Sequence, residues 1–314
     1  MKKMTRMAAL LLSVAMVLAL CACGAGGEKA YPDGAITMIV NYSAGGGTDL
    51  AARALADAAA EELGGAITVT NVTGGSGTVG VTELANAKND GYTIGVATLS
   101  PLALVPWQLE VTYTPDSFDY ICAFGQYGYG IVVAKDSPYQ TLEDLIAAAK
   151  SGSVKFGATG YPQPFVMEDL GNMTGASFEF VSYASTTDLI TDVLGGFVPC
   201  AMCDMASFAS YVKSGDMRLL ASATDKHWDV APEVQTLQEM GYDTVCNSYM
   251  GLCVPADTPD EIVAQLREAF AAASENEAYK ELLINCNLTW AYMSGEEYEE
   301  LVRSSYDEFG SRLK

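Results

Sequence analysis

Val40-Asn41-Tyr42-Ser43-Ala44-Gly45-Gly46-Gly47-Thr48-Asp49 joins an apolar run, Ile36 to Val40, to an alanine-rich stretch, Leu50 to Leu63. The first run reads as a strand and the second as a helix, so the three glycines sit where a strand hands over to a helix. The first N–H groups of a helix have no partner inside it, and the macrodipole adds roughly half a positive charge there. Such a junction suits a small anion. The same glycines also serve a plain tight βα turn, which many α/β domains have.

Outward from this junction, short β-rich runs alternate with helical patterns, which predicts βαβ units and parallel sheet. Ile67 to Val72 reads as a strand, a glycine loop follows, and a helix is expected from about Val79 to Lys88 before a strand at Tyr92 to Thr98. Further strands are expected at Ile131 to Ala134, Phe156 to Thr159, Phe178 to Val181 and Val198 to Met202. Helices over Phe165 to Met173 and Thr187 to Leu194 separate the last three. Thr141-Leu142-Glu143-Asp144 opens another helix, which stops at Ser151-Gly152. Thr258-Pro259-Asp260-Glu261 and Ser294-Gly295-Glu296-Glu297 are capping boxes that start helices over Glu261 to Ala273 and Glu296 to Leu313. Within the first helix, Arg53 is read as an i, i+4 partner of Asp57.

The N-terminus sets the compartment. Lys2, Lys3 and Arg6 precede an apolar run from Met7 to Leu20, and Leu20-Cys21-Ala22-Cys23 before Gly24 resembles a bacterial lipobox. That reading makes residues 1–23 an export signal, Cys23 the lipidated residue and 24–30 a tether. The apolar run is shorter than the about 20 residues a spanning helix needs. The mature protein is therefore expected outside the cytoplasm, held to the bacterial membrane by lipid. Of the 17 Lys and Arg, three leave with the signal, so 14 cations face 39 acids and the net charge is near −25. A surface that acidic excludes nucleic acid as a partner. The remainder of the 314 residues is long enough for a large core and would usually form two domains.

Enzyme chemistry finds little to stand on. The single histidine, His227, lies beside Trp228 in a polar stretch, Asp225 to Asp229, where a surface role is expected. With one possible base, a Ser-His or Cys-His nucleophile has no sequence context. Gly75-Ser76-Gly77-Thr78-Val79-Gly80 matches a dinucleotide fingerprint, yet Ala97-Thr98-Leu99 lacks the acid expected about 20 residues on. Six cysteines follow the lipobox: Cys122, Cys200, Cys203, Cys246, Cys253 and Cys286. Cys200 and Cys203 fall three apart in a strand, so their sulfurs point to opposite faces and cannot share an ion. No second pair completes a metal site, and disulfide pairing stays open. No metal and no cofactor are expected.

Several signatures then occur in order. Tyr42 to Asp49 with Arg53, Asn71 with Gly74-Gly75-Ser76-Gly77, Asp90-Gly91-Tyr92-Thr93, Leu194-Gly195-Gly196, Gly215-Asp216-Met217-Arg218-Leu219-Leu220-Ala221, Ala231-Pro232-Glu233-Val234 and Val254-Pro255-Ala256-Asp257-Thr258-Pro259 run along the mature chain. This succession resembles the substrate-binding proteins of tripartite tricarboxylate transporters, the Bug family of extracytoplasmic solute receptors. The resemblance implies an α/β, periplasmic-binding-protein-like fold of two lobes with the ligand in the cleft between them. The lobes would be 31–124 with 224–314, and 125–223.

The resemblance also implies a ligand site in four loops. These are Tyr42, Ser43, Ala44, Gly45, Gly46, Gly47 and Thr48; Thr98, Leu99 and Ser100; Thr159, Gly160 and Tyr161; and Tyr183, Ala184, Ser185, Thr186 and Thr187. An acid near the end of the Val198 strand would match Asp204, or be replaced by Cys203. The chain departs from the family at Asn41 and Ser43, where prolines are usual, and at Ala184, where lysine is frequent. None of the four loops contains Lys or Arg, so a carboxylate would be held by backbone N–H groups, hydroxyls and water. The implied role is a non-enzymatic, monomeric receptor that passes a di- or tricarboxylate, amino acid or aromatic acid to transporter membrane subunits. A hydrolase on the same lobes, or a receptor feeding a sensor, is the alternative.

Overall fold

The computed structural model describes residues 31–246 and 248–314; Cys23 and the tether lie outside the described residues. β1 (Ile36–Val40) buries Ile36, Met38 and Val40 on one face of a sheet and Ile39 on the other, as a strand covered on both sides must. α1 (Gly47–Leu63) starts inside the glycine run and lays Ala51, Ala52, Leu55, Ala56 and Ala59 on the sheet. Its small residues let the helix approach closely. It ends at Gly64, whose left-handed backbone lets its N–H return to the Ala60 carbonyl.

β2 (Ile67–Asn71), α2 (Thr78–Ala85) and β3 (Thr93–Val96) complete the first βαβ units, with β1 parallel to both β2 and β3. β4 (Phe118–Gln126) then crosses to the second lobe through Tyr127 and Gly128 alone. There β5 (Tyr129–Ala134), α3 (Leu142–Ser151), β6 (Val154–Ala158), α4 (Gln163–Thr174), β7 (Phe178–Ser182), α5 (Thr186–Leu194), β8 (Cys200–Asp204), α6 (Met205–Ser214) and β9 (Met217–Ser222) follow in turn. The chain returns to the first sheet with β10 (Tyr249–Pro255) and ends with α7 (Asp260–Ser274), α8 (Glu277–Asn285), β11 (Met293–Ser294) and α9 (Gly295–Leu313). The first sheet runs β11-β4-β10-β3-β1-β2 and the second β7-β6-β8-β5-β9.

Both sheets are mixed, which corrects the expectation of parallel sheet. β10 pairs antiparallel with β3 and β4, and β5 pairs antiparallel with β8 and β9. β4, β9 and β10 are buried almost throughout, so they lack the alternation by which a sequence marks a strand. The Met217 to Ala221 part of the family signature forms β9. The lobe division also moves. Trp228, Leu237 and Cys246 pack into the cores of the second sheet, and Ser222 bridges Thr236 beside it. The return crossing therefore falls just before Tyr249, well after the expected boundary at 223/224.

Of the two expected capping boxes, the one at Ser294 forms, and the helix start at Thr141 closes a box as well. Thr141 accepts from the Asp144 N–H and Ser294 from the Glu297 N–H, each reciprocated by the acid. The expected box at Thr258 does not form. Thr258 donates its hydroxyl to the Pro255 carbonyl and its N–H to the Asp119 carboxylate of β4, so Pro259 stands at the cap of α7 without a side-chain bond. Cys200 and Cys203 lie in the cores on opposite faces of the second sheet, as their spacing required. All six cysteines of the described residues are free thiols. No helix among them is long and apolar enough to cross a membrane.

Candidate functional site

The junction read first is locked by its own carboxylate. Asp49, in the first turn of α1 and buried, accepts from the Gly45 N–H at 2.8 Å, the Asn71 amide at 2.7 Å and the Arg53 guanidinium at 3.0 to 3.1 Å. Burial pushes the Asp49 carboxyl up, but the bonds from Arg53, Gly45 and Asn71 outweigh it and hold it below the usual range. Arg53 also donates to Asn71 Oδ1 at 2.9 Å, and Asn71 donates to the Tyr42 carbonyl at 2.9 Å. Arg53 thus reaches back one turn to Asp49, which corrects the Asp57 pairing. The signature residues Asp49, Arg53 and Asn71 form one network that fixes the Tyr42–Gly47 loop.

Gly45 carries the positive φ, +80°, whereas Gly46 sits at −76° in ordinary extended backbone. The Gly45 N–H faces inward to Asp49, so this amide is already committed. What the loop sends into the cleft is the Tyr42 phenol.

That phenol lies 3.1 Å from Thr98 Oγ1 and lines a cavity of about 320 Å³ between the two sheets. Tyr42, Thr98 and Ser100 from the first lobe face Thr159, Gly160, Tyr161 and Asp204 from the second. Tyr127, Tyr129 and Ser248, at the two crossings, line it too, with Gln163 from the start of α4. Burial pushes the Tyr42, Tyr127 and Tyr129 phenols up, so all three keep their protons and each has one O–H to donate. Tyr127 also bonds the Thr48 hydroxyl. Asp204 ends β8 opposite Tyr129 and caps α6, accepting from the Ser207 N–H at 2.8 Å. Neither Lys, Arg nor His lines the cavity among the described residues.

The remaining expected residues stand elsewhere. Ser43, Ala44, Gly46 and Gly47 form the turn and the helix start. Leu99 is buried beside Phe165 and Phe309 in a neighbouring interlobe hollow. Tyr183 donates to Asp192 at 2.7 Å, Ser185 caps α5 by accepting from the Thr187 N–H at 3.1 Å, and Ala184 and Thr186 flank it. The reason is topological: β7 is an edge strand, two places from β8, so the loop after it lies off the cavity lining. Cys203 packs into the core, which leaves Asp204 as the acid at the strand end. Sequence reading missed Tyr127, Tyr129, Gln163 and Ser248. A Tyr-Gly-Tyr-Gly run at 127–130 was the available signal, since residues at a lobe crossing floor the cleft.

A larger hollow, about 600 Å³, lies wholly on the second lobe around Phe156, Met167 and Phe178. Tyr161 is the one expected site residue it shares, so the interlobe cavity is the candidate site. His227, half exposed, bonds Glu239 at 2.8 Å and the Pro232 carbonyl at 2.6 Å within its own surface turn.

Two α/β lobes joined by short crossings around a cleft of hydroxyl donors define a solute-binding receptor of the periplasmic type. The model of the tripartite tricarboxylate transporter receptor family, TctC, matches residues 51–313, and the chain belongs to that family. A protein of the gbd 5′ region of Cupriavidus necator is 31% identical over 275 residues, covering 86% of this chain and 84% of its own. The crystal structure of a TctC solute-binding protein from Polaromonas superposes with a TM-score of 0.81 at 28% identity, covering 90% of this chain and 98% of its own. MatC from Rhodopseudomonas palustris, solved with bound malate, shares the fold with a TM-score of 0.68 at 21% identity, covering 90% of this chain and the whole of its own. Members of the family are solute receptors and not enzymes.

Proposed function

We propose that this receptor captures a small carboxylate-bearing organic acid outside the cytoplasm and delivers it to the membrane subunits of a tripartite tricarboxylate-type transporter. The observation that carries the ligand class is the set of protonated phenols and hydroxyls converging on the interlobe cavity. The contacts in this reading are Tyr42, Thr98, Ser100, Thr159, Gly160, Tyr161 and Asp204, joined by Tyr127, Tyr129, Gln163 and Ser248. Bonds of this kind to a charged acceptor contribute about 1.5–3 kcal/mol each, so a few give micromolar binding with lobe closure. Malate in MatC, a protein of the same fold, is consistent with that class. The protein acts as a monomer, tethered by a diacylglyceryl group on Cys23.

Thermal unfolding against a panel of di- and tricarboxylates, amino acids and aromatic acids tests the ligand class. A true ligand adds about 2.7 kcal/mol of stability at a hundredfold excess over Kd. Stabilisation by sugars, cations or peptides alone would refute it. For the tether, Cys23→Ala abolishes lipid labelling and releases the protein, while Cys21→Ala leaves both intact. Lipid retained on the Cys23→Ala protein refutes that part.

A further inference from the structure

The outgoing lobe crossing, Tyr127 and Gly128, is tied on both sides by the segment that follows β9. Gln126, the last residue of β4, donates its amide to Asp225 Oδ1 at 3.0 Å. Beyond the crossing, the Tyr129 carbonyl accepts from the Ala223 N–H at 2.7 Å and from the Trp228 indole at 3.0 Å. Between these ties, the Ser222 and Thr224 hydroxyls both donate to the Lys226 carbonyl, and Trp228 is buried. The only histidine of the chain, His227, stands in this stretch. Its Nδ1 lies 2.6 Å from the Pro232 carbonyl, and its Nε2 lies 2.8 Å from Glu239 Oε2, which also accepts from the Thr236 N–H at 2.9 Å. A carbonyl and an ionised carboxylate only accept, and a neutral imidazole has one N–H, so the ring fills both bonds only as imidazolium. Glu239 is its one ion-pair partner within the described residues, and Asp225, Lys226, Asp229 and Glu233 are the charged residues nearest it along the chain. The bonds to Glu239 and to the Pro232 carbonyl raise the His227 pKa above the ordinary histidine value of 6.5.

We propose that His227 is a proton-operated staple beside the hinge: the imidazolium holds the turn from Ser222 to Glu239, and through Asp225 and Trp228 that turn braces the crossing, so loss of the proton loosens it. The sign follows from the raised pKa. The staple is complete below the ordinary histidine value and is lost as pH rises through the higher folded one. An extracytoplasmic receptor meets the pH of its surroundings, so the hinge works more freely as that pH rises.

A single histidine gives one set of imidazole proton resonances, so its titration is followed directly by NMR in the unmodified protein. The midpoint is expected above the ordinary histidine value. Glu239→Gln keeps an oxygen for the Thr236 N–H but removes the charge, and it lowers that midpoint. Hydrogen exchange of the peptide 222–237, corrected for the intrinsic effect of pH, reads the brace itself, because the Ala223 N–H is one of the ties. Protection is expected to fall about three- to fivefold between about pH 6 and about pH 8, the size that an exposed ion pair supports. In Glu239→Gln the fall shrinks, and His227→Gln has the low protection at both pH values. A midpoint at or below the ordinary value, protection that does not change with pH in the unmodified protein, or a fall of the same size in His227→Gln overturns the inference. None of these readouts needs a ligand, so the test stands apart from the carboxylate reading.

Discussion

Asp49→Ala is the sharpest probe of how the chain shapes its site. Removing this buried carboxylate strands the Gly45 N–H and the Asn71 amide, which donate to it at 2.8 and 2.7 Å. Each hydrogen bond to a charged acceptor contributes about 1.5–3 kcal/mol. Arg53 is 42% exposed and regains water, so its ion pair counts for no more than about 1 kcal/mol. Water entering the vacated space offsets part of the loss. The net cost is about 3 kcal/mol, with melting lowered by roughly 6–12 °C at about 2–4 °C per kcal/mol. Arg53→Ala costs about 1 kcal/mol or less. Ligand affinity also drops in Asp49→Ala, because Asn71 no longer fixes the Tyr42 carbonyl.

The pH dependence has a definite sign. Asp49 titrates below the ordinary carboxylate range in the folded state, so its stabilisation is complete above the unfolded value near 4 and fades as pH falls through the lower folded one. Asp49→Asn therefore flattens the acid limb of the stability curve. Urea unfolding from pH 7 down to about 2 reads all three variants. Equal destabilisation by Asp49→Ala and Arg53→Ala would refute the argument, since it would make the exposed guanidinium, not the buried carboxylate, the pivot.

Gly45→Ala is expected to cost about 1–2 kcal/mol for its left-handed backbone, while Gly46→Ala, whose added carbon would sit 3.3 Å from the Ser43 carbonyl, costs clearly less; paired melts decide. Arg312, near the end of α9, bonds Asp169 and Glu168 of the second lobe at 2.8 and 3.1 Å and covers the Phe165 ring at 4.2 Å. Arg312→Ala should loosen lobe closure and weaken ligand binding about three- to tenfold by calorimetry, and an unchanged Kd would count against this strap. Among the six cysteines of the described residues, Cys286 is the one not fully buried, and burial holds the other five thiols protonated. A disulfide-exchange reagent at pH 8 is therefore expected to react first at Cys286, and rapid labelling of Cys200 or Cys203 in the native protein would contradict the packing.

The sequence alone determined whatever depends on near neighbours along the chain. The strand–glycine–helix junction, the caps at Thr141 and Ser294 and the opposite facing of Cys200 and Cys203 each follow from residues within four positions. The ordered signatures then carried the two-lobe receptor fold as a whole. Tertiary structure decided whatever needed a distant partner. Thr258 abandons its capping box because Asp119, far back in the chain, offers its N–H a carboxylate. Arg53 turns to Asp49 because Asn71 of β2 meets both. Tyr127, Tyr129 and Ser248 join Tyr42 and Asp204 only where two crossings of the chain come side by side. Periodicity encodes which face of an element is buried, but not which element arrives there, and the cleft is made by that arrival.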